Sequence, residues 1–136
     1  MTEPGFTRAV HKKLPNTIWA WKICDPYMGG IPDAYYRAAN GGNALWAEYK
    51  YLKTLPKRET TKIIPSLSAL QLKMLDDTLN AKQQAIVIVG FGRVGAVFET
   101  PDEWKNGMTK QDFISRALDY NELANYITSR CGVGDA

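Results

Sequence analysis

With 136 residues, 45% of them apolar and 23% charged, the chain has the size and composition of one globular domain over 1–136, and its length excludes two. A net charge of +3 is too small to imply a nucleic acid by itself, and two cysteines, Cys24 and Cys131, make neither a disulfide framework nor a zinc site. Glu3 and Pro4 stand where a secretory leader needs basic and apolar residues, and no run nears the roughly 20 apolar residues of a membrane span, so a cytoplasmic, reducing setting with free thiols and no membrane is expected.

In chain order, Phe6, Val10 and Leu14 recur after Glu3 and Pro4 until Pro15 stops the run, which predicts a short amphipathic helix. TIWAWKI, Thr17 to Ile23, is β-branched and aromatic and predicts a strand, broken at Gly29 and Gly30. DAYYRA (33–38) predicts a second strand, Asn40 to Asn43 a turn with positive φ, and LWAEYKYL (45–52) a third strand antiparallel to the second. Residues 53–66 hold four basic side chains, two prolines and little periodicity, which describes an exposed loop. Ser68 and Gln71 fit a capping box opening a helix through Leu72, Leu75 and Leu79 to near Lys82. AIVIVGF (85–91) is apolar enough for a buried central strand, and VGAVF (94–98) returns beside it. Thr109 with Asp112 and Asp119 with Glu122 mark two further helix starts, with Phe113, Ala117, Tyr120 and Ile127 as their facing stripe. The expected fold is α/β or α+β: an αβββαβ core over about 1–98, a mixed sheet flanked by helices, and C-terminal helices over about 109–130.

GFGRVG, Gly90 to Gly95, matches the dinucleotide fingerprint but lacks its sequel. AVFETP is strand-like and meets Pro101, leaving no room for the crossover helix, so the glycines are read as a reversal between strands and no nucleotide cofactor is expected. A single histidine leaves little scope for metal clusters or a serine triad; His11, beside Lys12 and Lys13, is expected on the solvated side of the first helix. Cys24 has no histidine partner in view for nucleophilic chemistry.

Charge is unevenly spread: residues 1–73 carry eleven basic and five acidic side chains, residues 74–136 six and nine. A polyanion would meet the first half. Within it, Glu48 and Lys50 are two apart on one strand and share a face, and a hairpin can set Asp33 beside Glu48. Two carboxylates and an ammonium then converge, an arrangement that holds a divalent cation through oxygens and leaves room for water and phosphate. The ammonium can orient or help deprotonate a water and offset phosphate charge, while the metal serves as Lewis acid.

Gly-Ile-Pro-Asp at 30–33, Glu48-Tyr49-Lys50 on the next strand, then SALQ opening a helix and an apolar strand: this order resembles the PD-(D/E)xK, or restriction-endonuclease-like, nucleases. Within them it is most similar to the VRR-NUC and Holliday-junction-resolvase group. The resemblance implies that Asp33 and Glu48 bind Mg2+, with Mn2+ able to substitute. It further implies that the Tyr49 carbonyl completes the metal shell and that Lys50 handles the nucleophilic water. Gln71 matches the helix glutamine that nears the site in related nucleases; a plain capping-box partner accounts for it equally well. Relatives often place an acid on the first helix, for which Glu3, followed by Pro4 and Gly5, is the sole candidate here. Asp25 is the substitute, with a turn as its simpler account.

A surface aspartate and an exposed Glu/Lys pair also occur in inert domains. Against that, Trp46 shares the face of Glu48 and Lys50, and Gly29 and Gly30 remove side chains just before Asp33, which would let a phosphate backbone approach closely. Lys12, Lys13, Lys53, Lys57, Arg58 and Lys62 are the expected phosphate contacts, which position DNA without reading its sequence. The leading reading is a metal-dependent endonuclease selective for branched DNA, acting as a homodimer whose symmetry supplies two sites, with Trp19, Trp21 and Trp104 available to an interface or to the core. A degradative or nicking nuclease and a catalytically inert DNA-binding module are the alternatives.

Overall fold

The computed structural model describes residues 1–23 and 29–132, so Cys24 and Asp25 lie outside the described residues. Thr2 starts the first helix by accepting a hydrogen bond from Gly5 N on its side chain, and Pro4 occupies the first turn, where a missing N–H costs nothing. That helix, α1, runs Glu3–His11 and buries Phe6, Thr7 and Val10. Three strands follow, β1 (Ile18–Lys22), β2 (Ala34–Ala38) and β3 (Leu45–Leu52). They pair antiparallel in succession, with Lys22 opposite Ala34 and Ala34 opposite Ala47.

A two-residue strand, β4 (Lys62–Ile63), precedes α2 (Ala69–Asn80), which opens on the full capping box of Ser68 and Gln71. The helix is the crossover that lets β5 (Gln84–Phe91) run parallel to β3, a pairing no tight turn could make. β6 (Val94–Phe98) returns antiparallel to β5. Then come α3 (Pro101–Asn106), β7 (Met108–Thr109), α4 (Lys110–Arg116), β8 (Leu118–Asp119) and α5 (Tyr120–Arg130), the last two helices capped by Thr109 and Asp119 as expected. The main sheet is mixed, in the order β1-β2-β3-β5-β6-β8.

Alternation along the strands sorts the core into two layers. On one face Ile18, Ala34, Tyr36, Leu45, Ala47, Tyr49, Ile86 and Ile88 meet Phe6 and Val10 of α1 and Leu123 and Ile127 of α5. On the other, Val87, Val89, Ala96 and Phe98 meet Leu75 of α2 together with Trp104 and Phe113. Phe6 is fully buried against Tyr49, Tyr51 and Tyr120, with ring centroids 6.4, 5.8 and 5.6 Å away. Truncating such a ring costs about 3–5 kcal/mol.

One expectation needs correction. Residues 53–66 are not one free loop, because β4 pairs with β7 and binds the segment to the later helices. Trp104 is core, 1% exposed, whereas Trp19 and Trp21 stand in solvent. The GFGRVG segment is the expected reversal: Gly90 pairs with Gly95 across β5 and β6, and Gly92 takes φ +60 in the turn between them.

Candidate active site

β2 begins at Ala34, but β3 runs on past it, so the middle of β3 loses its neighbour on one side. Asp33 fills that gap: its Oδ2 accepts a hydrogen bond from Tyr49 N at 2.9 Å. An extended residue directs its N–H and C=O to the same edge, so the Tyr49 carbonyl faces the Asp33 side as well. Glu48 and Lys50 project from the other layer of β3, 3.6 Å apart from Nζ to Oε2.

Gln71, in the first turn of α2, ties this pair together. Its Nε2 donates to Glu48 Oε2 at 3.0 Å, while its Oε1 accepts from Lys50 Nζ at 3.3 Å and from Ser68 N at 2.9 Å. The two accounts of Gln71 offered by the sequence are therefore compatible, since one amide closes the capping box and bridges the pair. Glu3, first residue of α1, is near enough to Asp33 and Lys50 for its carboxyl to feel both charges. Pro4 and Gly5 do not exclude it, because proline is tolerated in a first helical turn and Thr2 supplies the cap.

Electrostatically the site is short of cation. Glu48 is 2% exposed and its Oε1 has no hydrogen-bond partner. Burial above all, then the charge of Asp33, pushes its carboxyl up to about 8, with Lys50 opposing and Glu3 adding to the rise. The Glu3 carboxyl is raised as well, first by burial and next by Asp33. Glu3, Asp33 and Glu48 feel one another, yet among the described residues no three His, Cys, Asp or Glu side chains close on a common point as a full metal cage would require. A buried, unpartnered carboxylate oxygen beside a second carboxylate and an edge carbonyl fits a hard divalent ion that takes few protein ligands and keeps several waters.

The other expected residues lie elsewhere. Gly29 and Gly30 meet α2: a Cβ on either would fall within 2.9 Å of Leu70, and Gly30 has φ +84. The close approach they permit is that of Leu70. Lys12 and Lys13 follow the far end of α1, about 13 Å of helix from Glu3, and with Arg8 they line a hollow of about 480 Å3. Lys53, Lys57, Arg58 and Lys62 are exposed after β3.

His11 is not the solvated residue expected. Its Nε2 lies 2.6 Å from Tyr36 Oη, which lies 2.7 Å from Tyr49 Oη, and burial with the nearby Lys22 lowers its pKa to about 4. No signal in helix periodicity marks it, because its partner is on β2. Cys131 is a free, buried thiol. No helix among the described residues is long and apolar enough to cross a membrane.

No family model and no curated protein matches the chain. Among solved structures, Hjc, a Holliday junction resolvase from the archaeal hyperthermophile Archaeoglobus fulgidus, matches over 92% of this chain and 97% of its own, with a TM-score of 0.53 and 17% sequence identity. Likeness at that identity concerns architecture, and it agrees with the mixed sheet, the αβββαβ order and the flanking helices: the chain has the α+β restriction-endonuclease-like fold.

Proposed function

We propose that the chain is a metal-dependent DNA endonuclease, selective for branched DNA such as a Holliday junction, acting as a homodimer. The observation that carries this reading is the convergence of Asp33, Glu48, Lys50 and Gln71 where β3 outruns β2, on a fold shared with a Holliday junction resolvase. Asp33, Glu48 and the Tyr49 carbonyl would hold Mg2+ or Mn2+, with Glu3 as a third acid. Bound there, the ion would supply Lewis-acid polarisation of the phosphate and activation of water.

The chain's own residues do the rest. The Lys50 ammonium, 22% exposed beside a buried Glu48, is the group an incoming phosphate and water would meet. It orients the water and offsets charge developing on the phosphate. Gln71 holds Lys50 and Glu48 in register, so the ammonium is aimed before substrate arrives. Lys12, Lys13, Lys53, Lys57, Arg58 and Lys62 carry the duplex arms by their phosphates.

Cleavage of a labelled four-way junction with Mg2+ tests the reading. Lys50→Ala and Asp33→Asn should each lose about a hundredfold or more in rate with junction binding retained, as expected for groups that stabilise a transition state. Equal cleavage by all three proteins removes the proposal, and binding without cleavage by the unaltered chain reduces it to an inert DNA-binding module.

A further inference from the structure

The same sheet face that carries Glu48 continues across β2 and β1, where no helix among the described residues covers it. Trp19 and Trp21 are 44% and 50% exposed on the edge strand. Ring centroids run from Trp21 to Trp19 at 6.3 Å, from Trp19 to Tyr35 at 6.0 Å, and from Tyr35 to Trp46 at 4.7 Å. The Arg37 guanidinium lies 5.0 Å over the Trp19 ring. At the Trp46 end opens a groove of about 470 Å3, lined by Tyr35, Trp46, Asn43, Gln83 and Lys82 among others, and none of its lining residues is acidic.

Lys82 itself is in an unusual place. It follows α2 with φ +64, the single non-glycine residue of positive φ among those described. Glycine or asparagine ordinarily takes that position after a helix, because a Cβ there is strained. A lysine held at backbone cost on the rim of an aromatic groove points to an anionic ligand.

We propose that this face is a stacking platform for an unpaired nucleotide of the DNA strand that passes Glu48: its base packs on Tyr35 and Trp46, and Lys82 meets its phosphate. Aromatic rings beside cations are how proteins hold unstacked bases irrespective of sequence. Asn43 adds an amide suited to base edges, and Gln83, whose Oε1 accepts from Trp46 Nε1 at 2.9 Å, fixes the indole and keeps its own Nε2 as a donor. Trp46 precedes Glu48 by two residues on β3, about 6.6 Å, so the stacked base and the phosphate at the site lie within about two nucleotide steps of one strand. A second copy of this chain is a poorer occupant, since Arg37 and Lys82 would face their own kind. The inference deepens the nuclease reading and rests on it: unpaired bases at a branch would be the feature selected.

The test is metal-free binding, followed by tryptophan fluorescence, of a gapped duplex exposing unpaired bases and of a fully paired duplex. Tyr35→Leu should weaken the gapped ligand roughly tenfold and leave the paired duplex within about twofold. Lys82→Gly relieves the strained backbone, so it should raise the melting temperature while weakening the gapped ligand several-fold. Unchanged affinity in both variants, or equal losses on both ligands, overturns the platform but leaves junction cleavage standing. Sedimentation that shows Tyr35→Leu dissociating a dimer also overturns it, in favour of self-association. Failure of the unaltered chain to bind either ligand overturns the nuclease reading along with it.

Discussion

Glu48 has one oxygen bonded to Gln71 and Lys50 and the other bonded to nothing, inside the sheet. Without a metal its proton is held by the native fold up to about pH 8, whereas an unfolded chain releases it near 4.5. The sign follows: the native state binds the extra proton between those values, so stability declines as pH rises from 4.5 through 8 and is flat beyond. Glu48→Gln imitates the protonated carboxyl at every pH. In chelator, therefore, the variant and the unaltered chain should melt together at pH 4, and the variant should melt roughly 5–10 °C higher at pH 8.5. Mn2+ should then stabilise the unaltered chain and leave the variant nearly unmoved. Equal melting at pH 8.5 would show that ionising Glu48 costs the fold nothing, removing the electrostatic case for a cation.

At the scale of elements, the hairpin of β5 and β6 explains the glycines that imitate a nucleotide fingerprint. A Cβ on Gly90 or Gly95 would sit 2.9 Å from the Phe6 ring, and Phe6 is fixed by three aromatic neighbours and cannot retreat. Gly92 has open space but φ +60. Gly90→Ala should thus cost about 1–3 kcal/mol by overpacking, and Gly92→Ala about 1–2 kcal/mol through its backbone, both read by urea unfolding. If Gly90→Ala is neutral, Phe6 is less constrained than its contacts state.

These elements also show what could be read from the chain. Strand alternation placed Glu48 and Lys50 together, and the turn at 40–43 set Asp33 beside them, because both are local rules of period and reversal. The capping box marked where α2 begins, and hence where Gln71 sits. Contacts between distant segments left no such mark: β4 and β7 are two residues each, too short for any alternation, and His11 meets Tyr36 across 25 positions. Neither could the sequence foresee that Leu70 needs Gly29 and Gly30.

Across the whole molecule, the two signs of charge are used differently. Four acids of the second half are held in ion pairs, Glu99 and Glu103 with Arg116, Glu99 also with Arg130, Asp76 with Lys105 and Asp77 with Lys73. By contrast, among the described residues none of Lys12, Lys13, Lys53, Lys57, Arg58 and Lys62 pairs with a carboxylate. Most of the uncommitted positive charge belongs to the half that contains the site, with Lys82 and Arg93 the exceptions among the described residues of the other half, and phosphate binding requires such charge. If these six side chains each neutralise a phosphate, log affinity for duplex arms should fall with log salt at a slope near −5, about a thousandfold weaker at 200 mM than at 50 mM. Lys12→Ala with Lys13→Ala should flatten that slope by about two and leave cleavage at saturating DNA close to unaltered, since both residues lie a helix length from Glu3. A salt-independent affinity would mean that apolar contact, not phosphate, holds the ligand, and would move the binding surface from the lysines to the aromatic face of β1 and β2.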